Sequence, residues 1–262
     1  MDSINLNPGG LAVVWAEENS RDSIFSAMRR KETYGTSGTR PIVRFFGGWN
    51  FGIPDDRLCS LPNRVAVGYA QGVPMGSDLP SPRRGDAPRF LVSALKDAGS
   101  EALPGTPLQR IQIIKGWVDA AGQTHEEVAD VIGNTTSAGN ELNTDTCEPN
   151  LSAGFNELCA VWEDKNFDPA RPPFITPGFS KTLTCRWSTF ACKAAGVDPY
   201  LGESDCHAKA AAANAQALAR GEIQSGETPF DNCCINETNS PFISRTIQER
   251  AWTSPIWFVP SE

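Results

Sequence analysis

The stretch from Gly10 to Gly48, GLAVVWAEENSRDSIFSAMRRKETYGTSGTRPIVRFFGG, organises the front of the chain. Leu11–Trp15 is an apolar run short enough for a buried strand. A more polar segment follows, and a turn at Thr36–Gly38 precedes a second apolar run at Ile42–Phe46. A strand, a helix and a strand in this order are typical of the last unit of an α/β barrel or sheet.

The segment between these two strands carries the signals of an amphipathic helix. Asn19 or Ser20 can cap its start, because a short oxygen-bearing side chain accepts hydrogen bonds from the free amides of the first turn. Ile24, Phe25 and Met28 give the helix one apolar stripe. We therefore expect a helix that packs against its neighbours through this stripe.

Two acidic residues and an arginine form the first candidate site. Glu17 and Glu18 directly follow the first strand, and turns after parallel strands carry ligands in α/β folds. The two glutamates are either a carboxylate pair at the mouth of a site or side chains that face solvent beside the helix. Arg21 either contacts a phosphate or carboxylate at the helix start or is a plain surface arginine.

Several long segments of the chain resemble one bacterial family, the domain of unknown function 3604. They are the opening stretch, GYAQGVPMGSDLP (68–80), PLQRIQIIKGWVDAAGQTHEEVADV (107–131), TCRWSTFAC (184–192) and TIQERAWTSPIWF (246–258). The resemblance covers nearly the whole chain. It implies a relation to the polymerase-and-histidinol-phosphatase metallohydrolases, whose His- and Asp-rich metal motifs lie upstream in full-length members.

The resemblance has consequences for cofactor and partner. It implies that the chain is the C-terminal portion of a larger protein, with no cofactor of its own and a divalent metal in the full-length protein. The expected partner is then the missing N-terminal barrel portion of the same protein. Glu17, Glu18 and Arg21 would lie at the rim of its site, and the substrate would be a small ester or phosphoester.

Composition excludes some classes of partner. The chain has 262 residues and a formal net charge of −8, which argues against nucleic acid or an anionic membrane as a general partner. No apolar run approaches the roughly 20 residues that span a bilayer. Residues 1–10 contain neither a basic segment nor an apolar core, so we expect no signal peptide within this chain.

The cysteine pattern points to an oxidising compartment. There are eight cysteines, and all but Cys59 lie between residues 147 and 234. Clustered cysteines in a loop-rich segment favour disulfides, with free buried thiols and a structural zinc site as alternatives. Cys233 and Cys234 are not expected to pair with each other, because adjacent residues fit disulfide geometry poorly. We therefore expect the full-length protein to be periplasmic or secreted.

The middle of the chain is predicted to be β-rich, with a domain boundary near residue 55. Strands are predicted at Val65–Val67, Arg89–Leu95, Gln109–Val118 and Glu126–Ile132. They are separated by Gly/Pro turns without intervening helices, which favours an antiparallel sandwich. His125 follows a hairpin turn and has no nearby Cys or His, so it is interpreted as structural rather than as a metal ligand.

The remainder, residues 136–262, is predicted to be rich in loops. Its regular elements are a helix at about 205–220 and a final strand at about 251–259, which returns to the β-rich domain with Trp252 and Trp257 as packing anchors. The segment ITPGFSKTL (175–183) departs from the family pattern, which a compensated pair of frameshifts would explain. Its Pro177-Gly178 pair predicts a weakly ordered loop.

Arg186, beside Trp187, is the fourth candidate binding residue. An arginine next to an aromatic ring can hold an anion or stack on the ring. The alternative is a packed tryptophan with a salt-bridged arginine.

The predicted fold class is α+β. Residues 1–55 form the terminal strand–helix–strand unit of a truncated α/β barrel, and residues 56–135 form an antiparallel, sandwich-like domain. Residues 136–262 form a cysteine-rich, loop-rich tail.

No complete catalytic motif is present: the sequence has no P-loop, no G-x-S-x-G and no H-E-x-x-H. The first functional hypothesis is the C-terminal portion of a metal-dependent, phosphoesterase-like hydrolase that is not catalytic alone. The second is a secreted β-sandwich module with aromatic patches that binds a sugar or a partner chain, or serves a structural role. The third is an independent, metal-free enzyme that uses Glu17 and Glu18.

Overall fold

A computed structural model describes residues 9–81, 87–101, 104–135, 142–148, 150–234 and 243–259. Its contacts group the chain into two compact units. The larger unit comprises Gly10–Ala138, Leu151–Thr182 and Glu249–Glu262, and the smaller unit comprises Met1–Gly9, Gly139–Asn150 and Leu183–Gln248. This grouping differs from the predicted boundaries near residues 55 and 135, because the opening segment and the β-rich middle fall in one unit.

The elements follow in chain order within the described ranges. They are β1 (Leu11–Val14), α1 (Arg21–Arg29), β2 (Thr33–Thr36), β3 (Ile42–Gly48), α2 (Asp55–Leu58), α3 (Arg64–Gln71), β4 (Val73–Pro74), β5 (Asp78–Leu79), β6 (Arg89–Leu95), β7 (Leu108–Val118), β8 (Thr124–Gly133), β9 (Glu157–Glu163), β10 (Phe174–Lys181), β11 (Thr184–Cys185), α4 (Trp187–Ala194), α5 (Glu203–Ala219), a 3₁₀ helix (Pro229–Cys234), β12 (Thr246–Ile247), β13 (Arg250–Thr253) and β14 (Ile256–Phe258).

Two sheets make up the larger unit. The first has eight strands within the described ranges: pairing runs β1–β2–β13–β10–β14–β5, while β7 pairs with the other side of β10 and β8 pairs with β7. Its pairs are antiparallel except for β14 with β5. The second sheet has the order β4–β3–β6–β9, and its pairs are antiparallel.

The main core contains side chains of both sheets. Alternate residues of each strand point inward, as period-two patterning requires. Fully buried examples are Val43 and Phe45 from β3, Ile111 and Ile113 from β7, and Ile256 from β14. The antiparallel, sandwich-like arrangement and the α+β class are therefore confirmed.

The opening segment differs from the predicted barrel unit. The strand that follows α1 is β2, and it runs antiparallel to β1, with Leu11 opposite Thr36. The chain reverses directly after the helix because Lys31 adopts φ 58° and the amide of Glu32 donates to the carbonyl of Ala27. The predicted second strand, β3, belongs to the other sheet. A parallel βαβ unit is thus absent here, and the described residues form no closed barrel.

Two further predictions of secondary structure were wrong. Val65–Val67 lies in helix α3, where Gly68 packs directly against the ring of Phe46. The segment predicted as a weak loop is strand β10, which is central because β7 lies on one side and β13 and β14 on the other. Pro177 is tolerated beside the gap between β13 and β14, where the neighbouring strand is interrupted.

All eight cysteines form disulfides. Cys59 pairs with Cys159 in the larger unit, and the smaller unit contains the pairs Cys147–Cys185, Cys192–Cys233 and Cys206–Cys234. The disulfide prediction is confirmed, including separate partners for Cys233 and Cys234, and the free-thiol and zinc alternatives were wrong. The predicted helix near 205–220 is α5. Among the described residues, none of the helices has the length and apolar character that crossing a bilayer requires.

Candidate functional site

The outer face of the eight-stranded sheet carries two exposed indoles. Trp252 lies between the buried residues Ala251 and Thr253, and Trp257 lies between the buried residues Ile256 and Phe258. Alternation therefore turns both indoles away from the core. Trp252 is 46% exposed and Trp257 is 43% exposed. Their interpretation as packing anchors was wrong.

Glycines on the neighbouring strands let aromatic rings lie against this sheet. A Cβ atom added to Gly116 would lie 2.4 Å from the ring of Phe174, which stands opposite it. Gly178 and Gly35 lie opposite Trp252 on its two sides. The rings of Phe174 and Trp257 are 5.3 Å apart with a 46° angle between their planes. We call Trp252, Trp257 and Phe174 the tryptophan face.

Polar side chains lie opposite these aromatic residues on the neighbouring strands. Each line of paired residues across the sheet is called a row. The row of Trp252 runs through Gly178 to Gln112 and Asp130, and Gln112 Nε2 donates to Asp130 Oδ1 over 2.8 Å. The guanidinium of Arg250 lies 5.9 Å from the indole of Trp252. Amide, carboxylate and guanidinium groups supply donors and acceptors beside the exposed rings.

The row of Trp257 runs through Phe174 and Gly116 to Glu126. The two rows are four residues apart along β10, or roughly 13 Å. The tryptophan face is therefore an extended, mixed aromatic and polar surface rather than a closed pocket.

The outer face of the second sheet holds a cleft instead. Helices α2 and α3 cover one end of that face, where Phe46, Phe51, Leu58 and Leu91 form a buried cluster. The other end is left open beside Trp15. The resulting cleft has a volume of about 370 Å³. We call it the arginine cleft, and its lining consists of Trp15, Ile42, Arg44, Pro62, Arg64, Val65, Ser93, Ala94, Leu95 and Glu157.

Arg44 is fixed on one side of the arginine cleft. Its guanidinium carbon lies 3.2 Å from the centroid of the Trp15 ring, and the Trp15 indole N–H donates to the carbonyl of Val43 over 3.1 Å. Arg44 Nη1 donates to the hydroxyl of Tyr69 over 3.1 Å, and that hydroxyl donates to Glu32. Burial raises the pKa of Tyr69, and Glu32 raises it further.

Arg64 lies on the opposite side, at the start of α3. It forms an ion pair with Glu157, and its Nη1 donates to the carbonyl of Cys59 over 3.3 Å. Its Nε is buried and has no hydrogen-bond partner among the described residues. The disulfide between Cys59 and Cys159 ties this segment to β9. Two arginines and one glutamate leave one net positive charge in the cleft.

The predicted acidic pair lies at the start of α1 and is exposed. The amides of Glu17 and Glu18 donate to Ser23 Oγ over 3.1 Å and 3.3 Å. Ser20, one of the two predicted caps, accepts from the amide of Ser23 and donates to the carboxylate of Glu18 over 2.7 Å. Arg21 is the exposed first residue of the helix. A role of these three residues in substrate binding stays a prediction.

Arg186 belongs to the smaller unit and precedes α4. Its guanidinium carbon lies 5.6 Å from the centroid of the Trp187 ring. Its amide donates to the carbonyl of Arg245 over 2.9 Å, while its Nη1 is buried without a hydrogen-bond partner in the described part of the chain. Its predicted role in binding likewise stays a prediction.

The described residues do not offer a metal site. They contain no group of three or more His, Cys, Asp or Glu side chains that could hold an ion. His125 stacks on Trp117 with ring centroids 5.3 Å apart and bonds Asp119 over 2.7 Å. That hydrogen bond lowers the pKa of Asp119, with help from the turn amides. This chain's described residues therefore do not fit the divalent metal that the family resemblance implies.

Sequence reasoning missed Arg44 and Arg64 as site residues. Arg44 interrupts the apolar run Ile42–Phe46, which is a signal that one strand face is not fully covered. Arg64 carries no comparable signal, because its partners lie far away along the chain: Glu157 is 93 residues distant.

A comparison with protein-family models matches residues 1–212 to the family described as Protein of unknown function (DUF3604). Neither curated proteins nor solved structures gave a significant match. The family match spans well over half of the 262 residues. The chain belongs to the DUF3604 family.

Proposed function

We propose that this chain is a binding module for carbohydrate chains and that the tryptophan face is its binding surface. The observation that carries the proposal is the pair of half-exposed indoles on one sheet face. Arg250 lies beside Trp252, and Gln112 and Asp130 lie further along the same row, two and three strands away. Sugar rings present apolar C–H faces that pack on aromatic rings, whose faces carry partial negative charge. Sugar hydroxyls both donate and accept hydrogen bonds, as these polar side chains do.

The shape of the surface supports a chain of sugars over a single sugar. The two tryptophan rows lie roughly 13 Å apart along β10, so one ligand reaches both indoles only if it extends along the strand direction. An extended polymer fits such a flat surface, whereas a small molecule is better held by a concave pocket.

Sheet stability alone does not account for this face. Aromatic rings placed over glycines stabilise sheets, and this explains Phe174 over Gly116. Sheet stabilisation does not explain why the indoles of Trp252 and Trp257 are more than 40% exposed. Exposed aromatic surface of this kind is typical of a binding site.

We also propose a periplasmic or extracellular location. Four disulfides that use all eight cysteines support it, because such bonds persist in oxidising compartments and are rare in the cytosol. Polysaccharides outside the cytosol would then be within reach of the tryptophan face.

The test is binding of the purified chain to neutral polysaccharides and their oligosaccharides, measured by pull-down and by calorimetry. Wild-type protein is expected to bind at least one of gluco-, xylo-, manno- or galacto-oligosaccharides. Trp252→Ala and Trp257→Ala should each weaken binding by ten-fold or more, about 1.4 kcal/mol. Phe25→Ala is the matched control, because Phe25 is an exposed aromatic on α1 (59%). Wild-type protein that binds none of them, or tryptophan variants that bind normally, would refute the proposal.

A second proposal follows from the family resemblance and from the open edge of β1. Among the described residues no strand pairs with the outer side of β1, and Leu11, Phe25 and Met28 are exposed nearby in the chain. We propose that a further portion of the full-length protein, resembling a metal-dependent hydrolase, pairs with this edge. Glu17, Glu18 and Arg21 would lie at its rim, and the metal ligands would come from that portion.

This second proposal is tested with a gene extended upstream of Met1. The extended protein should contain a divalent metal by elemental analysis and hydrolyse small esters or phosphoesters, while the present chain should do neither. Stoichiometric metal in the present chain, or an extended protein with no metal and no hydrolysis, would contradict it. Neither outcome affects the carbohydrate test, which uses the outer face of the sheet and not the open edge of β1.

A further inference from the structure

We propose that the arginine cleft is a second binding site, which takes a small organic acid with one carboxylate on an apolar body. The site is separate from the tryptophan face, since it lies on the outer face of the other sheet and shares none of its residues. The proposal therefore stands independently of carbohydrate binding.

Arg44 is a pre-positioned donor for an anion. Trp15 stacks on its guanidinium, and Tyr69 accepts from one of its nitrogens, Nη1. A guanidinium has five N–H donors in a rigid planar fork, and this is the one hydrogen bond from Arg44 found within the described ranges. The fork is thus held in place with donor capacity remaining for a planar carboxylate.

Arg64 supplies a second charge with an unused donor. Its Nε is buried and unpaired within the described part of the chain, and buried donors without partners are rare because each costs free energy. Glu157 already accepts from its Nη2. The pair shows that this position accepts a carboxylate, so a ligand carboxylate would compete with Glu157 for Arg64.

The rest of the lining is apolar. Ile42, Pro62, Val65, Ala94 and Leu95 supply hydrocarbon surface, and Ile42 and Leu95 stand opposite each other and are exposed at the open end. The volume of about 370 Å³ is within the range of small-molecule pockets. These side chains fit the aliphatic or aromatic body of an organic acid.

Charge favours a monoanion over a phosphate. Two arginines and Glu157 leave one net positive charge in the cleft, which a single carboxylate neutralises. A dianionic phosphate would leave an excess negative charge in a protein whose net charge is already −8. The planar fork of Arg44 also matches a carboxylate in a bidentate geometry.

The probes are phenylacetate, hexanoate, phenylacetamide and phenyl phosphate, titrated into the full chain and followed by calorimetry and by the indole N–H signal of Trp15. At least one of the two acids is expected to bind at roughly millimolar concentration or below, with the neutral amide at least ten-fold weaker. If neither acid binds, if the amide binds as well as the acid, or if phenyl phosphate binds more tightly, the proposal is overturned.

Glu157→Gln provides a gain-of-function test. Glu157 is partly exposed, so its amide should fold normally, and removing the competing carboxylate should tighten acid binding several-fold. Arg44→Lys and Arg64→Gln should each weaken it at least ten-fold with a cooperative thermal transition retained. Arg29→Gln, a change at an exposed arginine on α1, is the matched control and should leave affinity unchanged. An unchanged or weaker affinity in Glu157→Gln contradicts the proposed site.

Discussion

On both outer faces of the larger unit an aromatic ring packs against a glycine, but the two glycines belong to different kinds of element. On the second sheet the ring of Phe46 packs against Gly68 of helix α3, and a Cβ there would lie 2.6 Å from the ring. On the first sheet the ring of Phe174 packs against Gly116 of a neighbouring strand, and a Cβ added there would lie 2.4 Å from the ring. The first contact lets a helix cover the sheet, whereas the second leaves the ring on an uncovered surface.

Whether helices cover a sheet face determines the kind of ligand that the face can bind. Where α2 and α3 cover part of a face, their edge and the open strands enclose a concave cleft that suits a small molecule. Where the face carries no helix among the described residues, aromatic rings and polar side chains spread over several strands. That surface suits an extended ligand.

Removing the disulfide beneath the cleft should have the largest effect on this comparison. Cys59→Ala with Cys159→Ala releases a link across 100 residues, so stability should fall by about 2–5 kcal/mol. The α2–α3 cover should loosen, and acid binding should be lost while carbohydrate binding persists. Urea unfolding and the two binding assays measure this.

A disulfide variant that loses carbohydrate binding and keeps acid binding would contradict the assignment of the two ligands to the two faces. Equal loss of both ligands in a variant that still unfolds cooperatively would also contradict independent faces.

Gly68→Ala should destabilise the covered face. Its Cβ would meet the Phe46 ring at 2.6 Å, so α3 must shift, at a cost of about 1–3 kcal/mol. Gly35→Ala is the matched control, because nothing lies within 4 Å of its added Cβ and alanine is favoured over glycine in a strand by roughly 0.5–1 kcal/mol. Denaturant midpoints should therefore move in opposite directions. Midpoints that move together would show that α3 is not held by this contact.

Gly116→Ala should act on the uncovered face. The new methyl group must displace the ring of Phe174, which lies 5.3 Å from Trp257. Because Phe174 is only partly buried, its ring can move outward, and we expect a loss of about 1 kcal/mol or less. Carbohydrate affinity should fall while acid affinity stays the same, measured by calorimetry. Unchanged carbohydrate affinity in this variant would show that Phe174 does not contribute to the binding surface.

The smallest expected effect is a pH dependence at the cleft. Burial, and then Glu32, raise the pKa of Tyr69 above its ordinary value. The folded protein therefore binds the hydroxyl proton of Tyr69 more tightly than the unfolded chain does, and this difference stabilises the fold. The stabilisation is complete below about pH 10 and is lost as pH rises through the raised pKa. Stability of wild-type protein should fall more than that of Tyr69→Phe between mildly and strongly alkaline pH in urea titrations. Parallel curves for the two proteins would contradict the raised pKa.

Local signals in the sequence were sufficient for some elements. The cap of α1 was narrowed to Asn19 or Ser20, and Ser20 is the observed cap, because the cap depends only on Ser23, three residues away. Strand β6 was predicted with its observed bounds, Arg89–Leu95. The disulfide state also followed from cysteine number and clustering alone.

Other elements depend on contacts that are distant in the sequence. The β-branched valines of α3 locally favour a strand, whereas the contact of this segment with Phe46 favours the helix. Strand β10 contains a Pro-Gly pair, yet it is held by strands on both sides. Trp252 and Trp257 were misread because tryptophan is usually buried; alternation with Ala251 and Ile256 would have placed them on the outer face.

The tryptophan face and the arginine cleft are proposed as separate ligand sites, and the indole N–H signals of the isotope-labelled protein distinguish them. Titration with the bound oligosaccharide should shift the signals of Trp252 and Trp257 and leave Trp15 unchanged. Titration with phenylacetate or hexanoate should shift Trp15 and leave Trp252 and Trp257 unchanged. Shifts of the same indoles by both ligands, or no shifts by either, would contradict the account.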